Sequence, residues 1–488
     1  MTADGAPSEG GRFPWKRSKP SKAAHWFAGV AALAAVIIAG LFLHQPDERQ
    51  THAEQSTTLN SSTPRVCAGR TARCHLLSTG IWAVVYAPIR GVEESHASSG
   101  PMPEERDGLV FWDPGGPGLI PLDAGLTRSQ LPSWLKNATV AMFVEPWAVH
   151  EVSSACLGSL ASVSAGGELS DQQVEEWPAQ FKDACDVDLY RLDGAEYEKS
   201  FKELSKKEGK ISGVYAQSFG AVRASAVMPE LKRTDGWAIM DAPAPPPGTH
   251  ATTLMVERSL ALEEGLQDIM GCTHSGASVD CRKELHRTLR EMGSDTTTPT
   301  GLAGGVEEYE RMTALLSLST NMASNKKPLR EILTNWPKLS AADQEVIKSG
   351  SHAFTRRHGD SQVLPDFVGY MANLCPAYTG WGAGAGSPER NPLGAALSRM
   401  HYACSVMPSD EDSAWTLTEA EDAPRLLLLE NSHDPVTPPS TARAWGDKYP
   451  DADHVEYEYL GHTKAPEKLS EEISAWLAGV STERTDRS

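Results

Sequence analysis

Short apolar runs alternate along this chain with longer amphipathic ones. Ile81–Tyr86 (IWAVVY), Leu109–Trp112, Thr139–Val144 (TVAMFV), Ile211–Tyr215, Trp237–Met240 (WAIM) and Arg425–Leu429 (RLLLL) are rich in β-branched, aromatic or leucine residues, and read as strands. His454–Leu460 (HVEYEYL) alternates, as a half-buried strand does. Between these runs the period lengthens. Asp193 caps a helix that runs to Gly209 with Tyr197, Phe201 and Leu204 on one face. Ala221–Met228 reads as a helix stopping at Pro229, and Ser440–Lys448 and Glu467–Leu477 as two more. This rhythm predicts an α/β class protein, a mostly parallel sheet with helices on both faces.

The rhythm breaks from Thr252 to about Ala403. Thr253–Met270, Cys281–Met292, Val306–Met322 and Pro328–Trp336 are helical patterns separated by Gly/Thr-rich and Gly/Trp-rich loops, with no strong strand. This predicts a helical insertion over the sheet, its Met and Trp side chains serving as core. No internal repeat is present.

At the N-terminus, Trp26–Leu43 carries no charge and is about 18 residues long, the lower limit for a bilayer span. Arg12, Lys16, Arg17, Lys19 and Lys22 precede it and Asp47 and Glu48 follow, which orients the chain with its N-terminus in the cytoplasm and the rest exported. A cleaved signal peptide and a retained signal anchor both fit. Thr51-His52-Ala53 is a poor, distant cleavage site, which favours the anchor. The expected order is a basic cytoplasmic segment (1–25), the membrane segment (26–43), a flexible linker (44–64), the first part of the core (65–247), the helical cap (248–405), the second part of the core (406–481) and a tail (482–488). The localisation expected is the cell membrane with an extracytoplasmic catalytic domain, or secretion after cleavage.

The net charge of -19 argues against nucleic acid or anionic lipid as the partner of the folded part, since phosphates would be repelled. Contact with the membrane is expected only through the N-terminal apolar segment. Eight cysteines, all on the exported side, fall into four pairs of sequence neighbours. The expected disulfides are Cys67 with Cys74, Cys156 with Cys185, Cys272 with Cys281 and Cys375 with Cys404. No pair has C-x-x-C spacing and no H-E-x-x-H occurs, which argues against zinc.

Candidate chemistry begins at Ala216-Gln217-Ser218-Phe219-Gly220, between a strand and a helix. It is one residue from the G-x-S-x-G turn that holds a serine in a strained conformation with its hydroxyl clear of the sheet. Asp113-Pro114-Gly115-Gly116-Pro117-Gly118 follows an early strand, where α/β-hydrolases take one of their two oxyanion-hole amides. Gly115 or Gly116 would give that amide and Phe219 the other. A serine also needs a base, and the base an anion. Ser218, Asp434 and His462 occur in the order nucleophile, acid, base, the last two on loops after late strands. His433 is the rival base, and Asp241 and Glu430 the rival acids.

DPGGPG (Asp113 to Gly118), YAQSFGAVRA (Tyr215 to Ala224), PE…MDAP (Pro229 to Pro243), ENSHDPVTPPSTA (Glu430 to Ala442) and GHT (Gly461 to Thr463) together resemble the exported tripeptidyl and prolyl aminopeptidases, including their TAP-like C-terminal segment. The resemblance spans about Gly108 to His462. It implies the α/β-hydrolase fold with an inserted helical cap and a serine peptidase triad of Ser218, Asp434 and His462. It also implies no cofactor, and a peptide substrate with a free N-terminus from which tripeptides or single residues are released. The chain departs from that family at Glu145-Pro146-Trp147-Ala148, where an Asp-x-Arg-Gly turn is usual, and at Leu119-Ile120, where Ser-Gly is common. An esterase or lactonase on the same fold, and a catalytically silent surface binding protein, are the alternatives.

Overall fold

The structure, a computed structural model, describes residues 64, 67, 72–88, 108–116, 132–135, 137–145, 153–156, 159, 171–187, 191–272, 279–292, 308–336, 338–355, 357–358, 362–363, 366–381, 393, 397, 404, 415–463 and 467–485. The chain divides into two units, Met1–Leu59 and Asn60–Ser488, and every described residue lies in the second. The expected membrane segment 26–43 thus falls outside the described residues. No helix among the described residues is long and apolar enough to cross a membrane.

Ten strands occur in the order β1 (Arg73–Leu76), β2 (Trp82–Tyr86), β3 (Leu109–Asp113), β4 (Thr139–Val144), β5 (Ile211–Gln217), β6 (Trp237–Asp241), β7 (Arg357–His358), β8 (Gln362–Val363), β9 (Arg425–Asn431) and β10 (Asp453–Tyr457). Eight form one sheet in the order β1-β2-β4-β3-β5-β6-β9-β10. β1 with β2 and β2 with β4 are antiparallel, and every other neighbouring pair is parallel. This is the α/β-hydrolase fold. After β4 the chain returns past β3 to lay down β5, so the strand order reverses around β3. The carboxyl ends at such a reversal form the crevice where α/β sheets bind ligands. The loop after β3 and Ser218 after β5 both lie there.

The helices described are α1 (Asp171–Ala184), α2 (Gly194–Glu208), α3 (Gly220–Ser225), α4 (Met228–Arg233), α5 (Ala251–Met270), α6 (Val279–Met292), α7 (Glu308–Ser319), α8 (Met322–Asn335), α9 (Ala341–Thr355), α10 (Asp366–Leu374), α11 (Pro439–Lys448) and α12 (Glu467–Thr485). The segment from α5 to α10 lies between β6 and β9 in the chain, and its only strands among the described residues are β7 and β8, a two-residue ribbon.

Period-two geometry explains the unbroken apolar strands. Val110, Trp112, Tyr215, Trp237, Ile239, Leu427 and Leu429 pack on one face of the sheet with Leu469, Ile473 and Leu477 of α12. Leu109, Phe111, Val214, Ala216, Ala238, Met240, Leu426 and Leu428 pack on the other with Tyr197, Phe201 and Leu204 of α2. Helices cover both faces, so neither set of positions can be polar. All four expected disulfides are present, Cys67–Cys74, Cys156–Cys185, Cys272–Cys281 and Cys375–Cys404.

Several boundaries differ from the sequence reading. Pro229 does not end a helix over Ala221–Met228; α3 stops at Ser225 and Pro229 sits in the first turn of α4. A first-turn proline gives up an N–H that has no helical partner anyway. Pro328 does not begin a helix but lies inside α8, and the break falls instead at Thr320-Asn321, where the Asn321 side chain caps α8. The last strand stops at Tyr457 rather than Leu460. β1, α1, α9 and α10 have no counterpart in the sequence reading. β1 is the edge strand RCHL, with neither an apolar run nor full burial to mark it.

Candidate active site

Ser218 follows the last residue of β5 and precedes α3 by one residue. Its φ is 53°, a left-handed conformation that a non-glycine residue adopts only when held there. Three contacts hold it. Its N–H donates to Asp241 O at 3.0 Å, and its carbonyl accepts from Ala221 N at 3.1 Å and from Ala244 N at 2.9 Å. Gly220 is obligatory two residues on, because a Cβ there would lie 2.6 Å from Asp113 O. At the position two before the serine, Ala216 is fully buried and its methyl is part of the core. Thr463 (φ 52°) and Ala242 (φ 43°) share the positive φ, so three of the four such non-glycine residues among those described gather around this turn.

Asp434 is 1% exposed. Its Oδ1 accepts from Val436 N at 2.7 Å and Thr437 N at 2.9 Å, an Asx-type turn that Pro435 and Pro438 stiffen. Its Oδ2 lies 2.7 Å from Nδ1 of His462. Because the carboxylate can only accept, the network assigns the proton to Nδ1 and leaves Nε2 as the base nitrogen. Thr437 Oγ1 lies 2.8 Å from Ala242 O and 3.2 Å from His462 Nδ1, which ties the acid loop to the chain just after β6.

The loop of His462 also reaches the elbow. Gln217, next to Ser218, donates to Thr463 O at 3.4 Å and to Asp241 Oδ2 at 3.1 Å, and accepts from Trp112 Nε1 at 3.1 Å. This contact therefore joins the residue before Ser218 to the residue after His462. No hydrogen bond joins Ser218 Oγ to His462 among the described residues. Such bonds are often loose until substrate binds.

The rival residues are placed elsewhere. His433 is exposed, and Glu430 pairs with Arg443 at 3.3 Å. Asp241 is fully buried and accepts from Tyr215 OH at 2.6 Å, Tyr457 OH at 2.9 Å and Gln217 Nε2, so it braces the elbow from beneath and makes no bond to the imidazole. Burial holds its carboxyl above the ordinary range, although these three donors pull the other way. Burial and then the charge of Asp241 push Tyr215 and Tyr457 well up, so both remain hydroxyl donors.

The loop after β3 distinguishes its two glycines. Gly115 has φ +84°, and a Cβ there would lie 2.3 Å from Gln217 O and 3.0 Å from Ser218 Cβ. Its N–H is already donated to Asp113 Oδ1 at 2.9 Å. Gly116 (φ 110°) and Phe219 make no backbone N–H bond among the described residues. Of the two glycine candidates, Gly116 keeps a free donor and Gly115 does not. Pro117 and Gly118 lie outside the described residues, as do Leu119-Ile120 and Pro146-Trp147-Ala148.

Sequence reading missed what holds this loop. Arg223 of α3, 2% exposed, donates through Nε to Asp113 Oδ2 (2.8 Å), through Nη2 to Asp113 Oδ1 (2.8 Å) and Gly115 O (2.7 Å), and through Nη1 to Glu145. Tyr197 OH donates to Asp113 Oδ2 at 2.6 Å. Burial opposes the charge on Arg223, but Asp113 and Glu145 outweigh it and the guanidinium stays protonated. The signal was in the sequence: one arginine in a helix otherwise built of small and apolar residues, GAVRAS.

Residues 390–488 match the family model described as TAP-like protein, a segment that contains both Asp434 and His462. No curated protein matches the chain. Among solved structures, proline iminopeptidase of Mycobacterium smegmatis is 14% identical, with 85% of this chain and 99% of that one covered and a TM-score of 0.36. A thermophilic esterase from Thermogutta terrifontis is 12% identical, with 84% and 98% covered and a TM-score of 0.34. Likenesses this faint add nothing about activity to what the strand order already gives. The protein has the α/β-hydrolase fold and carries a TAP-like C-terminal segment.

Proposed function

We propose that the protein is a serine hydrolase, an extracytoplasmic aminopeptidase that releases tripeptides or single residues from peptide N-termini through an acyl-enzyme. Ser218 Oγ attacks the scissile carbonyl while His462 Nε2 takes its proton, and Asp434 holds the imidazole in the required tautomer and stabilises its charged form. The N–H groups of Gly116 and Phe219 receive the oxyanion, each worth about 3 kcal/mol in the transition state. His462 passes the proton to the leaving amine as the C–N bond breaks. Water, activated by the same imidazole, then frees the acyl group.

The observation that carries this reading is the coincidence of a strained serine on β5, a buried Asp434 bonded to His462, and two free amides at the strand-order reversal. The TAP-like match and the motif resemblance support the aminopeptidase assignment within it. Export is supported by the apolar run 26–43 and by the pairing of all eight cysteines. Profiling the full chain against matched free and N-blocked peptidyl amides tests the reading. Cleavage of the free series, with the blocked series at least tenfold poorer, is expected. Hydrolysis of esters with no cleavage of any amide would replace the peptidase with an esterase.

A further inference from the structure

We propose that the turn between α7 and α8 forms part of the seat of the general base, with Asn321 as a positioning residue for His462; this rests on reading His462 as the base. The segment after β10 leaves the sheet and lies against this turn through two backbone hydrogen bonds running in opposite senses. His462 N donates to Thr320 O at 2.7 Å, and Ala323 N donates to Leu460 O at 2.7 Å. The backbone amide of His462 is thus committed to the helical segment between β6 and β9, and not to the sheet.

Side chains lock this clasp. Tyr459 OH donates to Asn321 Oδ1 at 2.5 Å, and the same oxygen caps α8 by accepting from Ser324 N at 3.4 Å. Gly461 is pressed so closely that a Cβ would lie 3.2 Å from both Asn321 Cα and Thr320 O. Beneath the turn, Met322 is fully buried and packs where a Cβ on Gly265 of α5 would be, 2.5 Å from its sulfur. From the sheet side, Asn431 Nδ2 donates to Gly461 O at 2.6 Å and Asn431 Oδ1 accepts from Tyr459 N at 3.0 Å.

His462 is consequently gripped from two directions. Its imidazole is oriented by Asp434 and its backbone by the α7–α8 turn. A shift of that turn must move the imidazole relative to Ser218 or break the clasp, because the amide of His462 itself makes one of the clasp's two backbone bonds. The hydrogen bonds of Asn321 reach none of the reacting groups of Ser218, Asp434 or His462, so it acts on the chemistry through the placement of His462.

The test reads the imidazole directly and needs no substrate. In the intact chain with labelled histidine, the Nδ1–H proton of His462 is identified by its loss in His462→Gln, and its exchange with solvent is measured. Tyr459→Phe removes one hydroxyl and keeps the ring. About five- to tenfold faster exchange is expected in it and in Asn321→Ala, with no further acceleration in the double variant. The control is Arg330→Gln, which loses the Nε bond to Ile269 O at 2.7 Å elsewhere on α8. Unchanged exchange in Tyr459→Phe would overturn the proposal. So would an equal acceleration in Arg330→Gln at the same loss of thermal midpoint, because the effect would then be general loosening. If Asn321→Ala does not fold, Tyr459→Phe alone decides. Reaction of wild-type Ser218 with a fluorophosphonate judges the hydrolase reading separately, and the exchange result stands whichever way that falls.

Discussion

Arg223→Met is the sharpest perturbation available away from the reacting groups. One guanidinium sits between two buried carboxylates, Asp113 at 4% and Glu145 at 7% exposure. Removing it takes from both buried acids the guanidinium that each of them bonds, and breaking a buried pair in this way typically costs about 3–5 kcal/mol. That is a large share of the roughly 5–15 kcal/mol by which domains are stable. The damage should be reversible in part. Arg223→Met combined with Glu145→Gln carries one buried charge fewer and should regain at least about 1 kcal/mol. Urea unfolding midpoints of the wild type, the two single variants and the double variant give the coupling. The chemistry should fall as well, because Gly115 O loses its 2.7 Å bond to Nη2 and the neighbouring Gly116 amide loses its fixed aim. We expect phosphonylation of Ser218 by a fluorophosphonate, in which Oγ displaces fluoride from phosphorus, to slow by about 10²–10³, the range for loss of an oxyanion donor. A stability loss below about 1 kcal/mol in Arg223→Met, or a double variant less stable than the single, would refute the argument.

Gly115→Ala forces a Cβ to within 2.3 Å of Gln217 O at a φ of +84°, so it should abolish Ser218 labelling while Gly80→Ala, with open space around it, does not. Equal labelling in the two would show that the loop does not need its close approach. Among the disulfides, loop-closure entropy assigns roughly 3.6 kcal/mol to the 29-residue separation of Cys375–Cys404 and roughly 2.6 to the 9-residue separation of Cys272–Cys281. Paired Cys→Ser variants unfolded in urea should rank in that order, and the reverse order would contradict it. Asp241 binds its proton more tightly folded than unfolded, so the stability this proton confers is complete below the ordinary 3.8 and is lost as pH rises through the raised folded value. Asp241→Asn should flatten the stability–pH curve across that window. An unchanged slope would mean that Asp241 titrates normally.

The strands and disulfides were legible because their signals are local. A buried parallel strand must be apolar on both faces, and RLLLL or TVAMFV satisfies nothing else so well. The sequence could single out Ser218, Asp434 and His462 as candidates because their order and the turns around them carry meaning; the structure adds the bond between Asp434 and His462 and the strained turn at Ser218. The edge strand RCHL was not legible, since it is neither apolar nor cleanly alternating. Pro229 and Pro328 misled for a physical reason: proline marks a first turn as readily as an end, and a packed helix can absorb one in its interior. The choice of Gly116 over Gly115 was out of reach, because it depends on which amide Asp113 occupies, and the roles of Arg223 and Asn321 depend on contacts 110 and 138 residues away along the chain.

The central claim is that Ser218, His462 and Asp434 act as one relay, and intact-mass analysis after brief exposure to a fluorophosphonate tests it most directly. The account requires a single adduct, mapped to Ser218, in the wild type, no adduct in Ser218→Ala, and labelling slowed by several orders of magnitude in His462→Ala. A wild type that stays unmodified, or His462→Ala labelled as fast as the wild type, would contradict it.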